Sequence, residues 1–185
     1  QVTMREIASK AGCSHTTIYL YFDDKMSLLE TIAAPVLREL FEEMKTMLEQ
    51  AQHPYDRLHK MCRKMCEFGF THRSLYPLYF MAEAERVDKA NPKHDLNRLR
   101  NALFGLLQQA VTHVWGRCSQ QQALNGARIL FYQIHGSIMT YQKSTESSNA
   151  LMKRVLPLVD QAVATLINGL PEVMQRHEHP IDPSV

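Results

Sequence analysis

The stretch that decides the reading is Thr3-Met4-Arg5-Glu6-Ile7-Ala8-Ser9-Lys10-Ala11-Gly12-Cys13-Ser14-His15-Thr16-Thr17-Ile18-Tyr19-Leu20-Tyr21-Phe22-Asp23-Asp24-Lys25-Met26-Ser27-Leu28-Leu29-Glu30-Thr31-Ile32. Thr3 is a good cap for a first helix that reaches about Ala11 and has Ile7, Ala8 and Ala11 as its apolar face. Gly12 permits the backbone conformation that ends this helix, and Gly12-Cys13 makes the turn. Ser14 then caps a second helix ending near Phe22. Its first turn carries His15, Thr16 and Thr17, polar or small groups suited to approaching base edges. Ile18 and Phe22 lie four apart and can anchor this helix to a core. Two short helices joined by a tight glycine turn are the helix-turn-helix arrangement, whose second helix enters the DNA major groove.

Outward from this stretch the chain reads as helices throughout. Asp23 or Asp24 caps a long helix from Lys25 to about Gln52, with Pro35 inside it. Pro35 cannot donate to the carbonyl of Thr31, so a kink or break is expected there. Further breaks are expected at His53-Pro54, around His72 to Ser74, at Asn91-Pro92, from Gly116 to Ser119 and from Ser144 to Asn149. Leu96, Leu99, Leu103, Leu107, Ala110 and Val114 recur at helical spacing, as do Leu124, Ala127, Phe131, Ile134, Ile138 and Tyr141. Two-residue alternation is missing, so the fold class is all-α. Pro157 is expected to bend the final helix or mark its start, and the tail after Pro171 to fray.

Composition agrees and narrows the class. Only 7 glycines and 8 prolines in 185 residues, against 10 methionines, favour helices over a turn-rich β fold. No apolar run is long enough for a membrane span, and the first residues are not a secretory signal. Cys13, Cys62, Cys66 and Cys118 do not make a disulfide framework, which implies a reducing, cytoplasmic setting. The net charge of +2 is uninformative about nucleic acid. Through Lys25, the cations Arg5, Lys10 and Lys25 balance Glu6, Asp23 and Asp24. The case for DNA therefore rests on pattern rather than on a basic patch. No phosphate loop, nucleophile elbow or zinc-protease motif is present, so no enzyme activity and no catalytic residue are expected.

The Thr3–Ile32 stretch resembles the DNA-binding domain of TetR-family transcriptional regulators, which typically reads T-x-x-x-I-A-x-x-A-G-V-S-x-x-x-x-Y-x-Y-F-x-x-K-x-x-L. Thr3, Ile7, Ala8, Ala11, Gly12, Ser14, Tyr19, Tyr21, Phe22, Lys25 and Leu28 match in order without gaps, and Cys13 replaces the usual small aliphatic. The resemblance implies a DNA-binding domain over 1–45, followed by a helical ligand-binding and dimerisation domain over 46–185. It implies that His15, Thr16 and Thr17 meet bases, with Ser14 beside them. Thr3, Tyr19, Tyr21 and Lys25 then meet phosphates. Read from the residues alone, Tyr19 and Tyr21 have an alternative as core aromatics, and Thr3 as a plain cap. The family has one more helix ahead of these two, so that helix is expected to lie outside this sequence. The implied function is a ligand-responsive regulator, a repressor by family habit, that binds a near-palindromic double-stranded operator as a homodimer. The rival class is a helical small-molecule carrier or enzyme.

No cofactor and no metal are expected; a small-molecule effector is. Its candidate pocket comprises Cys62, Met65, Cys66, Tyr76, Tyr79, Phe80, Glu83, Phe104, Leu107, Phe131 and His135, each of which is also acceptable as plain core or surface. Glu83 among aromatics would suit a cationic ligand, or it sits on a solvated helix face. Cys62 and Cys66, four apart, either bind a metal with His59 or His72 or are buried free thiols. In the last helix, Leu151, Val155, Leu158 and Ala162 make one apolar stripe; Met152, Leu156, Val159, Val163 and Leu166 make another. That width exceeds what one buried face needs. Homodimerisation through residues 119–142 and 149–170 is therefore expected, with Val159 or Val163 at the contact; the alternative is a thick monomeric core.

Overall fold

The structure is a computed structural model that describes residues 2–50, 53–81, 92 and 94–178, with the side chains of 175–178 excepted. Among these residues there are eight helices and no strand. They are α1 (Met4–Lys10), α2 (His15–Tyr19), α3 (Lys25–Glu49), α4 (Pro54–Thr71), α5 (Tyr76–Phe80), α6 (Asp95–Trp115), α7 (Gln120–Thr140) and α8 (Ser148–Glu178). Their ends follow local chemistry. Thr3, Ser14, Asp24 and Ser119 each accept a backbone N–H from three residues ahead. Pro54 opens α4, where its missing N–H is harmless. Gly12 and Gly116 have φ of 71° and 62°, the left-handed region that glycine enters without steric cost.

Two apolar cores form. The small one joins Met4, Ala8 and Ile18, with Ile7, Cys13, Phe22 and Leu28 packed on it. The large one runs from Met26 and Leu29 on α3 through α4, α5 and α6 to Val163 and Ile167 on α8. In it α3 packs on α6 and α4, α4 on α8 and α7, and α7 on α6 and α8. Helix α3 touches the small core through Leu28 and is otherwise built into the large one, from Met26 to Leu48.

Several boundaries differ from expectation. Helix α2 ends at Tyr19, not Phe22. Leu20, Tyr21 and Phe22 close a tighter turn in which Tyr21 and Phe22 both donate to the Ile18 carbonyl. On α1 the second buried residue is Met4 rather than Ala11, which is exposed. Helix α3 is continuous through Pro35. Pro35 and Thr31 are both exposed, so water can take the carbonyl that the proline leaves free. Helix α8 likewise neither starts at nor is interrupted by Pro157, which is exposed together with Lys153, four residues earlier.

The tail after Pro171 also stays helical to Glu178. Pro171 withdraws the N–H that would bond the Ile167 carbonyl, but the Trp115 indole Nε1–H donates to that oxygen at 3.0 Å. A side chain from α6 thus satisfies the carbonyl that the proline orphans. Trp115 reaches it by lying over Gly126 of α7. A Cβ at Gly126 would sit 2.2 Å from the indole. Gly69 of α4 is similarly covered by the buried Ile138, where a Cβ would come within 2.4 Å. Gly126 and Gly69 are the close-approach points of the bundle.

Candidate nucleic-acid interface and ligand cluster

The helix-turn-helix expected from the sequence is present, and only one side chain of α2 is fully spent on packing. Ile18 is buried, while His15, Thr16 and Thr17 are exposed. Tyr19 is 44% exposed, Leu20 76% and Tyr21 76%. Neither tyrosine is a core aromatic. Exposed apolar rings beside exposed small polar groups are unusual for a solvated face and suit an approaching partner.

Within α2 the side chains order one another. The Ser14 hydroxyl accepts the Thr17 backbone N–H at 3.0 Å and lies 2.7 Å from the Thr17 hydroxyl. His15 and Tyr19, one turn apart, meet edge to face with centroids 4.8 Å apart. Thr16 has no hydrogen-bond partner among the described residues. On α1 the Thr3 hydroxyl accepts from the Glu6 N–H and donates to the Glu6 carboxylate at 2.9 Å, which in turn accepts the Thr3 backbone N–H at 2.7 Å. These two bonds hold the Glu6 carboxyl below its ordinary value. Thr3 is therefore a working cap with a carboxylate beside it. Lys25 stands at the first position of α3, which Asp24 caps through the Ser27 N–H at 2.7 Å.

The effector candidates divide. Tyr76, Phe80, Phe104, Phe131 and His135 meet as one aromatic group. Phe131 stacks on His135 at 5.6 Å and meets Phe104 at 6.3 Å and Phe80 at 6.4 Å, and Tyr76 lies 4.8 Å from Phe80. The Tyr76 hydroxyl is 3.0 Å from His135 Nδ1. Burial holds the His135 imidazole below its ordinary value. Cys62, Met65 and Cys66 are buried on α4, and Leu107 on α6. Burial pushes both thiols up, that of Cys66 to about 12. Tyr79 meets none of these rings directly; it lies 5.7 Å from Phe68 and 6.0 Å from His72, and Phe68 in turn meets Phe80 at 6.3 Å. Glu83 lies outside the described residues.

Among the described residues no three metal-ligating side chains converge. His59 instead faces Asp160 at 3.5 Å, and His72 lies against Phe68. Sequence reading missed Asn97 and Arg100. Both are buried on α6, where Arg100 donates to Asn97 Oδ1 and Tyr79 O, each at 2.6 Å. The available signal was a polar pair three apart within an otherwise apolar face.

The expected contact face of α7 and α8 needs one correction. Val159 and Val163 are 2% and 1% exposed inside the chain's own core, whereas Leu158 (57%) and Tyr132 (64%) face outward. The two stripes read along α8 are in fact interleaved. Leu151, Val155, Leu156, Val159, Val163 and Ile167 are buried on α8, on which α4 and α7 both pack. A groove of about 520 Å³ between α7 and α8 is lined by Ile129, Tyr132, Leu170, Val173 and Met174 among others. No helix of the described residues is long and apolar enough to cross a membrane.

The comparisons with known proteins agree with this architecture. The family model for bacterial regulatory proteins of the tetR family matches residues 1–32. No curated protein matches the chain. Among solved structures, the crystal structure of a TetR family transcriptional regulator, PfmR from Thermus thermophilus, aligns with a TM-score of 0.62 at 14% identity. The alignment covers 91% of this chain and 85% of that one. Residues 1–32 therefore match the model of bacterial regulatory proteins of the tetR family, and the chain as a whole has the fold of a TetR family transcriptional regulator.

Proposed function

We propose that this protein is a ligand-responsive, DNA-binding transcriptional regulator, a repressor that binds a near-palindromic operator as a homodimer in the cytoplasm. The observation that carries the reading is the outward face of α2. A five-residue helix buries Ile18 and leaves His15, Thr16, Thr17 and Tyr19 exposed, with Leu20 and Tyr21 following. In a helix-turn-helix this is the face laid into the major groove. Residues 1–45 act as the DNA-binding unit. In it His15, Thr16 and Thr17 meet bases, and Tyr19, Tyr21 and Lys25 meet phosphates.

Residues 46–185 act as the effector and dimer unit. The aromatic group around Phe131 and His135, backed by Cys62, Met65, Cys66 and Leu107, holds the effector. Dimerisation uses the outer faces of 119–142 and 149–170, where Tyr132 and Leu158 are exposed and line a second α7–α8 groove of about 330 Å³. A two-fold axis there sets two α2 helices about one DNA turn, roughly 34 Å, apart. An effector entering the aromatic group displaces α6, and with it α3, which packs on α6 and starts beside α2.

The test is a mobility-shift titration of the full-length protein on its own upstream DNA against random duplex. Preferential retardation of the upstream DNA is expected. Lys25→Ala should weaken binding to all sequences alike and lower the salt slope by about one, whereas His15→Ala should change preference at one position by about 1–3 kcal/mol. Equal affinity of the protein for upstream and random DNA would refute the reading.

A further inference from the structure

The side chain of Thr17 offers a partner something narrower than its residue type suggests. Thr17 is exposed on α2, yet its polar atoms are engaged within the helix. Its backbone N–H donates to Ser14 Oγ at 3.0 Å, and its hydroxyl lies 2.7 Å from the same oxygen. Turning the hydroxyl towards a phosphate or a base edge would give up its bond to Ser14, while the N–H bond that caps the helix would remain. The hydroxyl keeps a further hydrogen-bonding site, but the Cγ2 methyl is the group of this exposed side chain that no bond ties to Ser14. Its neighbour Thr16, by contrast, keeps a hydroxyl with no partner among the described residues. In the major groove one base pair presents a methyl group of its own, at C5 of thymine, and apolar contact with it is a recognised form of direct readout. The zero net charge of the stretch through Lys25 argues in the same direction, since phosphate attraction alone would leave binding weak.

From this geometry we infer that Thr17 is a specificity residue that reads a thymine methyl through its own methyl, while its hydroxyl stays bonded to Ser14. The inference rests on the regulatory reading above and assigns one side chain within it.

The experiment uses a duplex enriched by the full-length protein from a randomised pool. The duplex is resynthesised with deoxyuridine replacing each thymidine in turn, which removes only the C5 methyl. At one thymine position per half-site the wild-type protein should bind the uracil duplex about fourfold more weakly, the value of one buried methyl-sized group. Thr17→Val keeps the methyl and loses the hydroxyl, so it should retain this discrimination. Thr17→Ser keeps the hydroxyl pair and loses the methyl, so it should bind both duplexes equally. A 5-methylcytosine scan of the cytosines in the enriched duplex controls for general effects of groove methyls. Far-ultraviolet circular dichroism and melting of both variants check that the cap survives.

The inference is overturned if thymine and uracil duplexes bind alike at every position. It is also overturned if Thr17→Ser keeps the discrimination, or if Thr17→Val loses affinity on all duplexes equally, as a lost phosphate contact would. A protein that enriches no sequence from the pool overturns the regulatory reading itself, and this inference with it.

Discussion

Replacing Gly126 by alanine should destabilise the bundle through the indole that lies over it. A helical glycine exchanged for alanine normally gains about 0.5–1 kcal/mol. Here the new Cβ would stand 2.2 Å from one indole carbon of Trp115 and 2.5 Å from another, far inside van der Waals contact. The indole must move by more than about an ångström to restore ordinary contact, which carries its N–H off the Ile167 carbonyl now held at 3.0 Å. Overpacking of this kind costs about 1–3 kcal/mol. The lost hydrogen bond adds about 1 kcal/mol, because Pro171 has no N–H to give that carbonyl.

Set against the alanine gain, a net loss of about 1–3 kcal/mol is expected. Urea unfolding at fixed protein concentration measures it, and Trp115, the single tryptophan, reports its own displacement through its emission. Gly105→Ala on α6 is the control. A Cβ there meets nothing within 4 Å, so a gain of about 0.5–1 kcal/mol is expected. In a Pro171→Ala background the penalty of Gly126→Ala should shrink by about 1 kcal/mol, since residue 171 can then bond the Ile167 carbonyl itself. A Gly126→Ala protein as stable as wild type, with unchanged tryptophan emission, would refute the reasoning.

Three further outcomes follow from particular residues. Native protein should present two of its four thiols to a disulfide reagent quickly, Cys13 and Cys118, while buried Cys62 and Cys66 react only at the rate of unfolding; four equal rates would contradict the burial. His135 is held below its ordinary value in the folded chain, so the unfolded chain takes up the extra proton first. Stability should be full above about pH 6.5 and fall on acidification, with a shallower fall in His135→Gln, which a matched pH series of melting curves checks. Leu158→Asp should dissociate a dimer while leaving the melting of the fold nearly unchanged, whereas Val159→Asp should unfold the chain by placing a charge in its core; sedimentation combined with thermal melting tells the two apart.

Wherever the deciding interactions span only a few residues, the sequence was sufficient by itself. The Thr3 and Ser14 caps, the Gly12 turn, the outward His15-Thr16-Thr17 face and the start of α3 at Lys25 are all made by groups within about one helical turn of each other, although the choice of Asp24 over Asp23 as the cap of α3 came from the structure. Periodicity likewise revealed the long helices of the bundle. It could not say where α2 stops, because Ile18 alone anchors it and the chain turns as soon as that anchor is seated.

The rest was decided by tertiary contact. Tyr76 and Tyr79 look equivalent in sequence, yet one bonds His135 and the other turns to Phe68. On α8 the apolar band was visible, but its inner and outer residues depend on where α4 and α7 cover it, which put Val159 inside and Leu158 outside. Pro171 shows the physical reason most plainly. A proline's effect on a helix depends on whether its orphaned carbonyl finds another donor, and here that donor is an indole 52 residues before the carbonyl in the chain.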